Sequence, residues 1–431
     1  MRALWLHLRT SPIRWSLPVL VAVDLAVLFL RNRSWIGVWP ESGAAAQVPA
    51  YLLGVVAAGA AAWAAGTPTR HRLDEQLAVA RAPAAASEAY RLGATLILLL
   101  IPYVIGQVVA FAVTARTFPP GLRLFWGYAL LGLFVMVMAT ALGWLCGRLL
   151  GTLFAALAAA MGFLFLVAIL GRVDFVVVSG RPEMTVDPVG LALRLGSVVV
   201  VLLALLWLPS PGRARPARRR ALWLVPAVLP LAAVVAATSP VVERTPPGND
   251  VMCVNGRMTL CIWPEHEKYL PKLRSLNARI ALLPDRFVPP PRMNEIGIEQ
   301  TRHLRPDGVV QIDEDAGAPT FYILEGSPWS YAGDVGTAIT NVTLGFTDAR
   351  HCNWDSLTSA DQERLWVLGA WLEAYLVGRN TPDYQTDAPT EMQAAWARGR
   401  GIAGEQSPAE QFRWAEGEAS DLRGRYCRSA R

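Results

Sequence analysis

The polarity of the chain changes near residue 240. Before it, long apolar runs follow one another with short polar joints; after it, apolar residues are interspersed with charges at strand and helix periods. A helix needs roughly 20 apolar residues to cross a hydrocarbon core. Stretches of that kind run about Trp15–Leu30, Val48–Ala65, Leu92–Val113, Leu124–Leu145, Leu149–Leu170, Val189–Leu208 and Ala221–Thr238. The first is short and contains Pro18 and Asp24, and only Cys146-Gly147-Arg148 separates the fourth from the fifth. The pattern predicts an α-helical membrane bundle of about seven transmembrane helices over residues 1–240. A linker rich in Pro and charge follows over 241–250, and then an α+β domain over 251–431.

Within that last domain the expected strands are Val251–Val254, Met258–Trp263, Ala278–Leu283, Val309–Ile312, Thr320–Leu324 and Ala338–Phe346. Asn255-Gly256 is a two-residue hairpin signal. A helix is expected over His266–Asn277, with Leu270, Leu273 and Leu276 on one side and Pro271 kinking it or moving its start later. Ser359 with Gln362 predicts a capping box for a helix Ala360–Val377. Ser407-Pro408-Ala409-Glu410 supplies a cap, a proline in the first turn and a reciprocal acid for a helix to about Leu422.

Charge sharpens this division. Residues are 53% hydrophobic and 17% charged, against about 25% charged in ordinary soluble domains. Residues 1–240 hold 20 Lys+Arg and 8 Asp+Glu, whereas 241–431 hold 20 and 26. The basic excess therefore sits between apolar runs, where topology is set, and does not point to nucleic acid. With the N-terminus in the cytoplasm, 13 arginines fall on inner segments and 6 on outer loops, and Arg213–Arg220 is the densest inner cluster. An odd number of spans then puts the C-terminal domain outside the cell membrane. A cleavable signal peptide ending at Gly43-Ala44-Ala45-Ala46 is the alternative for the first span, although that site lies far beyond the apolar run.

Four of the five cysteines, Cys253, Cys261, Cys352 and Cys427, fall in the C-terminal domain, as expected of an oxidising compartment. Three pairings are possible, and locality favours Cys253–Cys261 with Cys352–Cys427. A regular two-residue hairpin opposes this, because it would set Cys253 opposite Met258. A zinc site from all four is the functional alternative, but no C-x-x-C pair is present.

Asp24 is the acidic residue inside a span, costly there and a functional candidate; it could equally face another helix, pair with an Arg or be protonated. Arg194 lies near enough to the end of its span to snorkel. Leu73, Leu77 and Val79 punctuate the polar stretch 67–91, which breaks at Ala82-Pro83. It suits either an amphipathic docking element or a solvated connector.

Arg70, Arg72, Glu75, Leu77 and Arg81-Ala82-Pro83, together with the span pattern, resemble the membrane (permease) subunits of ABC-2-type transporters of actinobacteria that carry a C-terminal extracytoplasmic domain of unknown function. The resemblance implies that this segment couples to a separate ABC ATPase subunit and that the chain works as a homodimer or heterodimer in the lipid bilayer. Typical members have six spans, so a seventh is a departure. No G-x-x-x-x-G-K-[ST] loop occurs, so ATP binding of that kind is not expected in this chain. Nor is a cofactor, a metal or an enzymatic centre expected. His266-Glu267 begins a zinc-peptidase H-E-x-x-H, but position 270 is Leu, and Glu373 in Trp371-Leu372-Glu373-Ala374 suits a solvated helix face. The alternative to an exporter subunit is a non-transporting membrane sensor or scaffold with an outer ligand- or protein-binding domain.

Overall fold

The computed structural model describes residues 2–70, 84–150, 154–170, 180–206, 232–235, 237–299, 302–304, 310–312, 318–346, 352–382 and 388–427. It divides into two compact units, Met1–Arg244 and Thr245–Arg431.

The first unit is helical. Its elements are α1 (Arg2–Thr10), α2 (Leu17–Leu30), α3 (Trp39–Gln47), α4 (Pro49–Ala65), α5 (Ala84–Thr114), α6 (Leu122–Leu150), α7 (Ala155–Leu170), strand β1 (Met184–Val186), α8 (Pro188–Leu206) and strand β2 (Val241–Glu243). Of the seven expected spans, four coincide with helices that are long and apolar enough to cross a membrane among the described residues: α3 with α4, α5, α6 and α8. Leu17–Leu30 and Ala155–Ile169 are apolar but shorter, and most of Ala221–Thr238 lies outside the described residues. Cys146-Gly147-Arg148 is not a joint, because α6 continues as helix to Leu150. No proline interrupts it, and Gly is tolerated where a neighbouring helix needs the room.

α6 is the hub. Gly143 and Gly147, one turn apart on it, meet α4 so closely that an added Cβ would stand 2.1 Å from the Ala58 carbonyl oxygen and 2.2 Å from that of Ala62. Small residues four apart on both helices let the backbones touch, the way apolar helices associate when their surroundings are equally apolar. The outward faces are apolar too: Val19, Val108, Phe154, Phe165, Ile169 and Val200 are exposed.

β1 and β2 pair antiparallel, with Val186 opposite Val241. Gly180 abuts the Pro40 carbonyl, Gly127 abuts Val186, and Trp39 Nε1 donates to the Pro119 carbonyl at 2.7 Å. The connections at 31–40, 115–121, 180–187 and 239–244 thus gather at one end of the unit. Trp39 packs there against Phe111, Phe118 and Phe125. Gly43-Ala44-Ala45-Ala46 belongs to α3 and is largely buried, with Gly43 against the Phe125 backbone.

The second unit is α+β. β3 (Met252–Val254) and β4 (Thr259–Ile262) form an antiparallel hairpin, and β5 (Arg292–Glu295) lies parallel beside β4. A 3₁₀ turn Pro264–Tyr269 and α9 (Leu270–Leu282) make the crossover between β4 and β5. β6 (Arg302–Leu304) pairs with β7 (Val310–Ile312) as a separate ribbon, and β8 (Thr320–Phe321) completes the order β3-β4-β5-β8. α10 (Pro328–Leu344), α11 (Ser359–Val377), α12 (Thr390–Glu405) and α13 (Pro408–Tyr426) follow.

Two expected strands are helical. Ala278–Leu283 continues α9, since Leu273, Leu276, Asn277 and Ile280 are buried at helical spacing. Ala338–Phe346 falls mostly in α10; its β-branched residues are overruled by the Ser327 cap, Pro328 in the first turn and left-handed Gly345 at the end. Pro271 moves the α-helical start to Leu270, as one of the two expected outcomes. The cap of α11 is Thr358 and not Ser359: its hydroxyl accepts from Asp361 N at 3.2 Å. The Ser407–Glu410 capping box opens α13 as expected, and the helix runs on to Tyr426.

Candidate functional site

The proposed coupling residues Arg72, Glu75, Leu77 and Arg81 lie outside the described residues; Arg70 closes the turn Thr67–Arg70 that follows α4. What the structure shows is the base on which this segment stands. Glu88, in the first turns of α5, is 6% exposed and accepts from Arg91 at 3.0 Å and from Trp144 Nε1 at 2.9 Å. Arg148 of α6 pairs with the same carboxylate. Arg91 also donates to the carbonyls of Ala64 (2.8 Å) and Ala65 (3.4 Å), satisfying the end of α4, and lies over the Trp144 ring. One buried ionic clasp therefore joins the end of α4, the start of α5 and the end of α6. Glu88 went unmarked in the sequence. The available signal was its i,i+3 spacing to Arg91.

Asp24 is 1% exposed, and neither carboxylate oxygen has a hydrogen-bond donor among the described residues. It lies against Gly106 of α5, where a Cβ would stand 1.9 Å from Oδ2. Arg194 does not snorkel outward. It is 1% exposed and turns inward, donating from Nε to Thr238 Oγ1 at 3.1 Å and binding the Thr238 carbonyl. The Thr238 carbonyl closes a helical turn and takes its donor from the guanidinium.

In the second unit the four cysteines form two bridges, Cys253–Cys261 and Cys352–Cys427. The hairpin is compatible with the first because its loop is longer than the two-residue signal suggested. With Met252 opposite Ile262, residues 255–259 all lie between the last paired positions, Val254 and Leu260, and Cys253 falls directly opposite Cys261. Arg257 holds that loop by donating to the carbonyls of Ile280, Leu283 and Phe287. The second bridge ties the residues after α10 to the end of α13. It stands against Gly345, and Trp354 stacks on Tyr426 beside it.

His266 and Glu295 form a buried pair at 2.5 Å, and the other Glu295 oxygen accepts from Trp263 N at 2.9 Å. The carboxylate thus fastens β5 to the crossover that leaves β4. Glu373 is half-buried, not on a solvated face; its carboxylate approaches Gly333 of α10. Asp334 accepts from Tyr322 N at 2.8 Å, and burial pushes its carboxyl up from the usual range. No group of three or more His, Cys, Asp or Glu able to hold a metal occurs among the described residues.

Asp361 takes hydrogen bonds from Tyr426 at 2.7 Å, from Thr358 and from Arg364, with Arg425 close by. These hold its carboxyl down to about 2. Arg364 also reaches Glu418 at 2.7 Å and Asp421 at 2.8 Å, which raises the guanidinium and lowers Asp421.

No protein-family model, no curated protein and no solved structure matches the chain.

Proposed function

We propose that the chain is the membrane-spanning (permease) subunit of an ABC-type exporter that works with a separate ATPase subunit. It acts in the cell membrane as a homodimer or heterodimer, with its N-terminus cytoplasmic and residues 251–431 outside. The observation that carries this reading is the Glu88–Arg91–Arg148–Trp144 clasp. A segment moved by a soluble partner transmits force only if both its ends are fixed to the spans that must shift. Here the helices on either side of residues 66–83 are locked to each other and to α6 by a desolvated charge group. Removing one member of such a group costs about 3–5 kcal/mol, so the joint resists pulling. Arginine density along the sequence supports the orientation: the segments read as inner hold 13 arginines and the loops read as outer hold 6.

The test is affinity purification of the full chain from its native membrane. An ATPase subunit should accompany it, and deletion of 67–81 should abolish that association while leaving the chain folded. A wild-type preparation without any nucleotide-binding subunit sinks the reading. The second reading, a sensor or scaffold, draws on the second unit having its own core and two bridges. It requires Thr245–Arg431 to retain, alone, the binding activity of the whole protein.

A further inference from the structure

The helical unit contains a layer of polar side chains in which the donors are spent and the acceptors are not. Asp24 on α2 leaves Oδ1 and Oδ2 without donors among the described residues, and Gln47 of α3 and Gln107 of α5 each leave Oε1. Gln47 is fully buried and Gln107 is 9% exposed. The donor ends of both amides are engaged. Gln107 Nε2 donates to the Ala46 carbonyl at 2.7 Å, and Gln47 Nε2 to the Tyr51 hydroxyl at 2.9 Å. Tyr103, one turn before Gly106 and within electrostatic reach of Asp24, donates its own hydroxyl to the Ala129 carbonyl at 2.5 Å.

These residues are linked by two contacts and by adjacency in the chain. Asp24 rests on Gly106; Gln107 comes next and is bound to Ala46; Gln47 comes next after Ala46. Gly106 is the enabling residue, since any Cβ there would displace the carboxylate.

A buried polar atom without a partner costs roughly 2–7 kcal/mol, and four together are not a stable arrangement of neutral groups. A proton on Asp24 makes one of its oxygens a donor to a single neighbouring acceptor and leaves the remaining oxygens without partners. A positive charge that brings no acceptor of its own is the partner such oxygens lack, since hard cations take oxygen ligands. We propose that Asp24, Gln47 and Gln107 form a binding site for one monovalent cationic charge, presented as a dehydrated alkali ion or as a primary ammonium group.

The full chain in lipid nanodiscs tests this by thermal unfolding at constant ionic strength. Sodium, potassium or methylammonium chloride replaces the chloride of N-methyl-glucamine, a cation too large for the site. Wild type should show a saturable rise in midpoint, about 5 °C or more at concentrations ~100-fold above half-saturation. D24N, in which an amide replaces the charge, should unfold at a midpoint independent of all three. A response to sodium or potassium alone identifies an alkali ion, and a response to methylammonium alone an ammonium group. Infrared difference spectra of wild type against D24N give a second readout that needs no stable variant response. A carboxylate band that shifts with the cation supports the site. A protonated-acid carbonyl band at neutral pH, unmoved by any of the three cations, overturns it, as does an equal midpoint rise in D24N.

Discussion

In Met1–Arg244 the closest helix contact is made by residues with almost no side chain, Gly143 and Gly147 against Ala58 and Ala62. In Thr245–Arg431 the centre is filled by the largest side chains available. Trp263, Trp329, Trp371 and Phe287 are at most 1% exposed, and Trp371 touches Phe287, Tyr375, Phe412 and Trp414. The first unit presents apolar residues outward, so burying more of them against each other gains little, and stability has to come from backbone proximity and dispersion. In the second, each buried aromatic removes about 150–250 Å² from water, and cross-links add what a small core lacks. The same difference governs charge. The helical unit buries Glu88 between two arginines; the second unit also buries a pair, His266–Glu295, but adds a partly exposed network of Asp361, Arg364, Glu418, Asp421 and Arg425.

The contrast breaks most visibly under reduction. The Cys352–Cys427 bridge closes a loop with a sequence separation of 75, and Cys253–Cys261 one of 8. Loop entropy assigns the long bridge about 4 kcal/mol and the short one about 2.5 kcal/mol. C352A with C427A should therefore lower the unfolding midpoint of the second unit by roughly 10 °C. The double variant at the short bridge should do so by less, and the helical transition should stay put. Intrinsic fluorescence of the 16 tryptophans reads both transitions. If the helical transition falls equally, the two cores are not independent and the comparison fails.

A smaller effect is expected from the opposite change. G143L drives a side chain into the α4 backbone, where even a Cβ would stand 2.1 Å from the Ala58 oxygen, and overpacking of that kind costs about 3 kcal/mol. Gly162, on α7, has nothing within 4 Å of its would-be Cβ, so G162L should cost little. Equal losses in detergent-solubilised yield and melting point for the two variants would show that backbone proximity is not what holds α4 to α6.

Much of the architecture was legible because its signals are local. The switch near residue 240, the Ser407 capping box and the cysteine set each depend on a few adjacent residues or on composition. The failures have a different origin. Val309–Ile312 and Ala338–Phe346 look alike as short β-branched runs; the first is a strand and the second helix, and what decides is the cap and stop residues at a distance. The hairpin turn was placed three residues too tight because Asn255-Gly256 is a strong signal on its own, whereas in the structure Cys253 faces Cys261. The β1–β2 pairing joins Met184–Val186 to Val241–Glu243 across a long stretch of chain, and no local pattern announces it. At the candidate sites the sequence singled out Asp24 but not the unsatisfied amide oxygens of Gln47 and Gln107, which carry no charge to mark them. Glu88 escaped for a related reason: a Glu three residues from an Arg is commonplace, and only folding brings Arg148 and Trp144 to it.

The smallest expected effect separates the two styles of charge placement by pH. Asp361 is held at about 2 by Tyr426, Thr358 and Arg364, against an ordinary aspartate near 3.9. A carboxylate depressed in the folded state binds fewer protons there than when unfolded. Its stabilisation is therefore complete above about pH 5 and is lost as pH falls toward 2. Asp421 and Glu410 are also lowered, by Arg364 and by Ser407, and act in the same direction. Asp334 opposes them, because burial raises it and its charged form is the one disfavoured in the fold. D361N should thus flatten, without abolishing, the acid slope of the second unit's unfolding midpoint between pH 5 and 2, and D334N should steepen it. The bridges are indifferent to pH in this range, so the slope isolates the exposed network from the cross-links that dominate the reduction experiment. An acid slope left unchanged by D361N would mean that the Arg364 network contributes nothing and that aromatic packing with two bridges accounts for the unit alone.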